Sequence, residues 1–463
     1  MILFSTSGDD RAKIRALPWV LVSGKLISFF ALWTFGGSMF VLFLNELGLP
    51  KGRIGVVLSL FPFCGLLALG FAPVAARLGR KRVFLAGYGL RKPVMALLLL
   101  LPWVTTRFGQ SAAIGFLSAV VIVFAVLRSL AETAVYPWMQ EFIPNRVRGR
   151  FAAWSAVTGL VASAVALAIA GKVLDTASGL SGYMGLIGAG SALGLVGVLV
   201  HAKVPGGAPI PHSPEDGPHW SNMARALRDR NFTAYLGGMA GMTTGSAMLI
   251  SFLPLYVRER IGLEAATVVR LDIVAMVGGT LASLGWGWLS DRAGSRPVLM
   301  PACSLALLAP LGWLLLPVTL PNIVLACSAL YFISGIAASG VAIGAGRLLF
   351  NSVVPREKST AYTSIHYAWM GLTGGVAPLL AGGLLTLAGD WRYETPFLIA
   401  DGYTVMFAAA TLFLATGGLL YKRVRPDDHH TTRTAIRTFL NWIAQRCKTE
   451  MSHVIDVDSD ARL

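Results

Sequence analysis

The sequence predicts an all-α polytopic membrane protein with twelve transmembrane helices in two pseudo-symmetric six-helix bundles. Three observations lead there. The first is composition: of 463 residues, 55% are hydrophobic and only 13% are charged. A soluble domain carries about 25% charged residues, so this chain cannot cover a water-facing surface. The second is that apolar runs of about 20 residues, the length that crosses a bilayer, recur along the chain. The third is that a loop in the first half returns in the second.

The runs place spans at roughly 24–45, 54–73, 83–104, 112–135, 151–172 and 181–202. A second set follows at roughly 233–256, 267–288, 297–317, 322–345, 361–386 and 399–421. Between the sets, residues 204–231 hold Pro205, Gly206, Gly207, Pro209, Pro211, Pro214 and Gly217, which mark a linker. The units are therefore an N-terminus (1–23), a first bundle (24–203), the linker (204–231), a second bundle (232–421) and a tail (422–463). The N-terminus carries Arg11, Lys13 and Arg15 and lacks the short apolar core of a signal peptide, so the first span directs insertion.

The net charge is +16. In a soluble protein that would suggest nucleic acid. Here most Lys and Arg fall in the loops on the side of both termini. The other side holds Lys51, Arg53, Arg107, Lys172, Arg258, Arg260 and Arg392. This bias predicts cytoplasmic termini and linker, and no nucleic-acid partner. On that topology the sequon at Asn231 and Thr233 faces the cytoplasm and is a chance match. The cysteines Cys64, Cys303, Cys327 and Cys447 have no metal or redox spacing. No cofactor is expected. In the tail, Ile436, Phe439, Leu440, Ile443 and Cys447 form one stripe opposite Arg433, Arg437, Asn441 and Lys448. That pattern suits a helix lying on the anionic inner leaflet.

The repeated loop carries the family resemblance. After span 8 the chain has Gly287, Asp291, Arg292, Gly294 and Arg296. After span 2, Arg77, Gly79, Arg80 and Lys81 match at a fixed offset, with Ala72 and Ala76 in place of the glycine and the aspartate. This resembles the G-x-x-x-D-R-x-G-R-R/K signature of the major facilitator superfamily, and the resemblance covers about residues 20 to 421. It implies two parallel bundles, a substrate site near the midplane between them, and a cavity lined by spans 1, 4, 7 and 10. The physical reading of the signature is a short turn with a gating ion pair: glycine for close approach, and a carboxylate that pairs with arginine or caps a helix. With Ala76 in the first copy, Asp291–Arg292 is expected to carry the latch. A basic loop that only sets topology is the alternative.

Charges inside the membrane are costly and therefore point to function. Arg128 and Glu132 lie at i, i+4 on span 4. They read as a proton- or substrate-sensitive pair, or else as a self-neutralising structural one. Glu132 is the first choice for a protonation site. Arg91 and Lys92 on span 3 are expected to be structural or to snorkel. Arg270 and Asp272 read as interfacial, and Asp401 as wet. Arg347 faces the inner cavity or snorkels from a helix end. Trp33 and Thr34 on span 1 and Thr243 on span 7 are candidate solute contacts, or simply bond their own backbones. His366 is a candidate proton or substrate contact. With Met370 and Met239 it could also suggest a metal, but methionine is an ordinary packing residue. The glycine–proline run Gly371–Gly383 on span 11 resembles a pattern that antiporters of the family carry on span 5. Span 5 here lacks it, which weakens an efflux reading.

The expected function is secondary active transport of a small organic solute by alternating access. The cationic bias of Arg91, Lys92, Arg128 and Arg347 against Glu132 favours an anion or zwitterion, with proton coupling possible through Glu132. The alternatives are a drug or metabolite efflux antiporter and a lipid-handling or assembly-partner membrane protein. The expected setting is a bacterial inner membrane, the expected state a monomer, and no enzymatic constellation is present.

Overall fold

The computed structural model describes residues 8–67, 71, 77–208, 220–317, 320–355, 359–394 and 399–427. Within these, ten helical stretches are long and apolar enough to cross a membrane. The stretch Arg80–Val135 is two crossings, because Gly109 at φ +83° turns the chain inside the helix Leu101–Phe142. Lys51–Gly65 supplies one more. The fold therefore has twelve spans.

Span 1 is two helices, Gly8–Thr34 and Gly37–Glu46, interrupted at Phe35 and Gly36. It begins earlier than the apolar run suggests. A helix satisfies its own backbone wherever it runs, so polar residues outside the lipid continue it. Span 2 is Lys51–Gly65. Span 3 is Arg80–Ala96, prolonged through a 3-10 turn, Leu97–Leu100, toward Gly109. Span 4 runs from there to Phe142, span 5 is Asn145–Thr176 and span 6 is Leu180–His201. A short helix, Trp220–Ala226, precedes the second half. Spans 7 to 12 are Arg230–Glu259, Ala265–Ala293, Arg296–Leu315, Ile323–Leu348, Ser359–Ala388 and Gly402–Tyr421. One departure from an all-helical chain is a two-stranded antiparallel pair, Arg392–Glu394 with Ile399–Asp401. The amphipathic tail stripe lies outside the described residues.

The two halves pack alike. Span 1 lies on span 6 as span 7 lies on span 12, and span 3 lies on span 4 as span 9 lies on span 10. Between the halves, span 2 meets span 11 and span 5 meets span 8, the two pairings that a pseudo-two-fold exchanges. Small residues make these approaches possible. A Cβ on Gly335 would sit 1.9 Å from the Ala275 carbonyl oxygen, so spans 8 and 10 touch backbone to backbone.

The seam between the halves is polar on the side away from the termini. There Glu46 pairs with Arg258 at 3.4 Å and Lys51 with Glu259 at 2.8 Å. Asp175 pairs with Arg270, and Asp272 accepts hydrogen bonds from Ser38. Arg270 and Asp272 thus join the halves; Asp272 is turned into the seam, while Arg270 keeps a side chain 43% exposed, as an interfacial residue would. Deeper along spans 5, 8 and 10 the seam widens into an open cavity of 480 Å³ lined by Gly159, Ser163, Met276, Thr280 and Ser339.

Candidate functional site

The interior of the first half is built on an aromatic core. Phe35, at the break in span 1, packs against Phe61 of span 2 and Phe124 of span 4 at ring distances of 5.9 and 4.8 Å. Phe124 and Arg128 are one helical turn apart and share a face of span 4. Arg128 accordingly lies over the Phe35 ring at 5.4 Å, which helps to hold a cation in a mostly apolar setting. Its Nε donates to Glu132 Oε1 at 2.7 Å. Both side chains stay about one-third exposed, 34% and 35%. The pair therefore faces spans 1 and 2 yet remains open on one side.

Arg91 and Lys92 sit just behind it. Each is 1% exposed, so neither snorkels. The Arg91 guanidinium stacks 3.5 Å from the Tyr88 ring centroid, and the Lys92 ammonium lies 3.4 Å from that of Phe30. Arg91 Nε and Nη1 and Lys92 Nζ have no hydrogen-bond partner. Arg91 is within electrostatic reach of Tyr88, Glu132 and Arg128. Three basic side chains and one carboxylate thus share the core of the first half, and the basic groups lie over aromatic faces rather than against further carboxylates.

The other candidates fall into different settings. Trp33 is 5% exposed and donates through Nε1 to the Ala166 carbonyl of span 5 at 2.7 Å. Thr34 is fully buried and bonds the Phe30 carbonyl of its own helix at 2.6 Å. Both are engaged in helix packing. Thr243 is partly exposed and faces span 11 near Gly374. His366, also partly exposed, lies 5.8 Å from the Tyr235 ring, and its Nδ1 has no hydrogen-bond partner. Among the described residues no group of three His, Cys, Asp or Glu side chains could hold a metal.

The repeated loop forms a cluster on the terminus side. Asp291 Oδ1 meets Arg347 Nη1 at 3.2 Å, whereas Arg292 lies over the Trp288 ring at 4.5 Å. The ion-pair partner of Asp291 is therefore Arg347, not its neighbour in sequence. Gly294 at φ +96° ends span 8, a conformation that favours glycine. Gly287 has open space where a Cβ would go, so close approach does not explain that position. Arg296 donates to the Lys422 carbonyl. Arg347 also lies 3.4 Å from Asp427, beyond span 12. Asp427 accepts from Ser295 N at 3.0 Å, from Ser295 Oγ at 2.8 Å and from Asn351 Nδ2 at 3.3 Å. Burial pushes the Asp427 carboxyl up, but the Ser295 and Asn351 hydrogen bonds outweigh it and hold the group below its usual range. Sequence reasoning missed Asp427, because it stands outside any repeat.

In the first copy, Ala72 and Ala76 lie outside the described residues. Arg77 is exposed. Gly79 caps span 3 at φ +95°. Arg80 pairs with Glu141 at 3.1 Å. Lys81 donates to the Val204 carbonyl at 2.7 Å, fastening the start of the linker. Asp401 is not wet: it is 9% exposed, caps span 12 in a capping box with Thr404, and pairs with Arg260 at 2.5 Å.

Comparison with known proteins agrees with this architecture. The family model for the Major Facilitator Superfamily matches residues 21–358. The chain is 25% identical over 374 residues to the ectoine/proline transporter ProP of Corynebacterium glutamicum, covering 76% of this chain and 72% of the relative. It is 27% identical over 197 residues to the citrate-proton symporter of Klebsiella pneumoniae, covering 42% of each. The fold superposes on the D-xylose-proton symporter with a TM-score of 0.66 at 13% identity, over 90% of this chain and 99% of that one. On the nucleoside transporter NupG the TM-score is 0.64 at 14% identity, over 89% and 98%. Twelve spans in two equivalent halves, a seam closed at one end and a family match over most of the chain lead to one conclusion: this protein belongs to the Major Facilitator Superfamily and is an integral-membrane secondary transporter.

Proposed function

We propose that the chain is a proton-coupled symporter that imports a small organic solute carrying a carboxylate, anionic or zwitterionic. It works as a monomer in a bacterial inner membrane, with both termini in the cytoplasm. The observation that carries this reading is the half-open Arg128–Glu132 pair beside two further buried basic side chains. A guanidinium matches a carboxylate in shape and charge, so an incoming solute carboxylate competes with Glu132 for Arg128. The displaced Glu132 is then left without its partner on the inner part of span 4, beside an aromatic core. Taking up a proton relieves that cost. Solute binding and proton binding thus favour one another. Two relatives support the solute class, since the names of ProP and of the citrate symporter specify proline, ectoine and citrate, all of which carry carboxylates. The polar seam away from the termini is the closed extracellular gate, which makes this conformation inward-facing.

The test is uptake into proteoliposomes under an inward proton gradient, with proline, ectoine, citrate, a pentose and a nucleoside offered in parallel. Carboxylate uptake that Arg128→Gln abolishes and Glu132→Gln uncouples from the gradient supports the reading. Uptake confined to the pentose or the nucleoside, unaffected by Arg128→Gln, refutes it.

A further inference from the structure

The break in span 1 creates a feature that solute binding does not use. Gly36 is extended and Gly37 has φ +59°, so the helix restarts at Gly37 inside the protein. The half-helix Gly37–Glu46 therefore turns its positive N-terminal end toward the seam. The group that meets it belongs to the other half. Asp272 of span 8 accepts from Ser38 N at 3.0 Å through Oδ2 and from Ser38 Oγ at 2.9 Å through Oδ1. A Cβ on Gly37 would sit 2.8 Å from Oδ2, so the approach depends on glycine.

The charges around Asp272 are otherwise committed. Arg270 on its own helix is paired with Asp175 of span 5. Arg258 of span 7 is paired with Glu46, at the far end of the half-helix. Span 10 contributes Tyr331, a buried phenol near Asp272 whose hydroxyl has no hydrogen-bond partner, and the buried thiol of Cys327. Among the described residues no Lys or Arg pairs with Asp272. The carboxylate is held by the half-helix N-terminus and Ser38.

We propose that Asp272 is the coupling residue of the extracellular gate, ionised while the gate is closed and protonated while it is open. This rests on the proton-coupled reading above and adds a second titrating carboxylate to it. Both Ser38 hydrogen bonds are donated to Asp272, which suits an ionised carboxylate. The closed gate therefore holds the ionised form. Parting the halves removes both donors and the helix end together. Asp272 would then carry an unpaired charge inside the protein, and it takes a proton from the extracellular side instead. Closure restores the donors, and the proton passes from the Asp272 carboxyl to water in the cavity that opens deeper along span 8, on the inward-facing side of the closed gate. A proton arriving from outside thus opens the gate for solute, and closing around the solute releases it.

The test reads the gate itself, without solute. Spin labels are placed on Arg53→Cys and Glu264→Cys, two exposed positions on opposite sides of the extracellular seam. The full chain is used in nanodiscs, with its four native cysteines replaced by alanine. Distance distributions are measured between pH 8 and pH 4.5. The expected result is a short distance at high pH and growth of a longer one as pH falls. Asp272→Asn should abolish the pH dependence. Ser38→Ala removes one donor but keeps the backbone N–H, so it should raise the midpoint by about one pH unit. A parent protein with no pH response, an Asp272→Asn variant that responds like the parent, or an unmoved midpoint in Ser38→Ala would each overturn the proposal. Loss of gradient-driven uptake with this gate response intact would instead refute the Arg128–Glu132 reading alone.

Discussion

Arg347 has two acidic partners, and the structure ranks them. Asp291 belongs to the repeated loop, but its side chain is 79% exposed. Asp427 lies outside the loop and its side chain is 6% exposed. An exposed ion pair contributes about 0–1 kcal/mol, so Asp291→Asn should barely move stability. Asp427 does more. It satisfies Ser295 N and Oγ at the start of span 9 and accepts from Asn351. Losing a helix cap costs about 0.5–2 kcal/mol, and Arg347 would keep only its exposed partner. Asp427→Ala should therefore cost about 1–3 kcal/mol. Thermal unfolding in detergent, followed by tryptophan fluorescence, compares the two. Combining each change with Arg347→Gln gives the coupling, expected at about 0.5–3 kcal/mol for Asp427 and near zero for Asp291. If Asp291→Asn costs as much as Asp427→Ala, exposure does not rank these contacts and the reasoning is wrong.

Two more expectations follow from the same contacts. Asp427 titrates below the usual carboxylate value of 3.8, so its contribution is complete above that value and disappears as pH falls through its own lower one. The stability gap between the parent and Asp427→Ala should thus stay constant from pH 7 to about pH 5 and shrink only in stronger acid, as read from unfolding midpoints across that range. The two glycines of interest should behave oppositely. Gly335→Ala drives a methyl against the Ala275 carbonyl and should cost about 1–3 kcal/mol, while Gly287→Ala meets open space and should be neutral or stabilising by up to about 1 kcal/mol in the same assay.

The fold was legible in the sequence because the bilayer fixes span length and the repeat fixes the division into halves. Both signals are local along the chain. What escaped were contacts between elements far apart in sequence. Asp272 looked interfacial because it lies near the outer end of span 8, yet its partner Ser38 lies 234 residues away. Asp401 looked wet because it opens a span near a loop, yet Arg260 and a capping box enclose it. Asp291 was matched to the arginine beside it. On a helix, adjacent side chains point about 100° apart, so Arg347 from another span is the better partner. The break in span 1 was also hidden, since Gly36 and Gly37 are ordinary packing residues in any apolar run.

Arg91 and Lys92 show most clearly how charge is used here. A structural role or snorkelling was the expectation for basic residues one-third of the way along a span. Both instead turn inward onto Tyr88 and Phe30. A buried cation over an aromatic face gains about 0.5–2 kcal/mol, less than the several kcal/mol that desolvating it costs. Packing does not explain keeping a cation beside Arg128. Its field does. In a medium of low dielectric, the Arg91 guanidinium behind Arg128 acts on whatever replaces Glu132 in front of it. A neutral solute would leave the Arg91 and Arg128 guanidinium groups facing a protonated Glu132, with no anion among them. A carboxylate restores the lost negative charge at the moment Glu132 is neutralised. On the proposed reading, the same arrangement would select an anionic group and tie its entry to that of a proton.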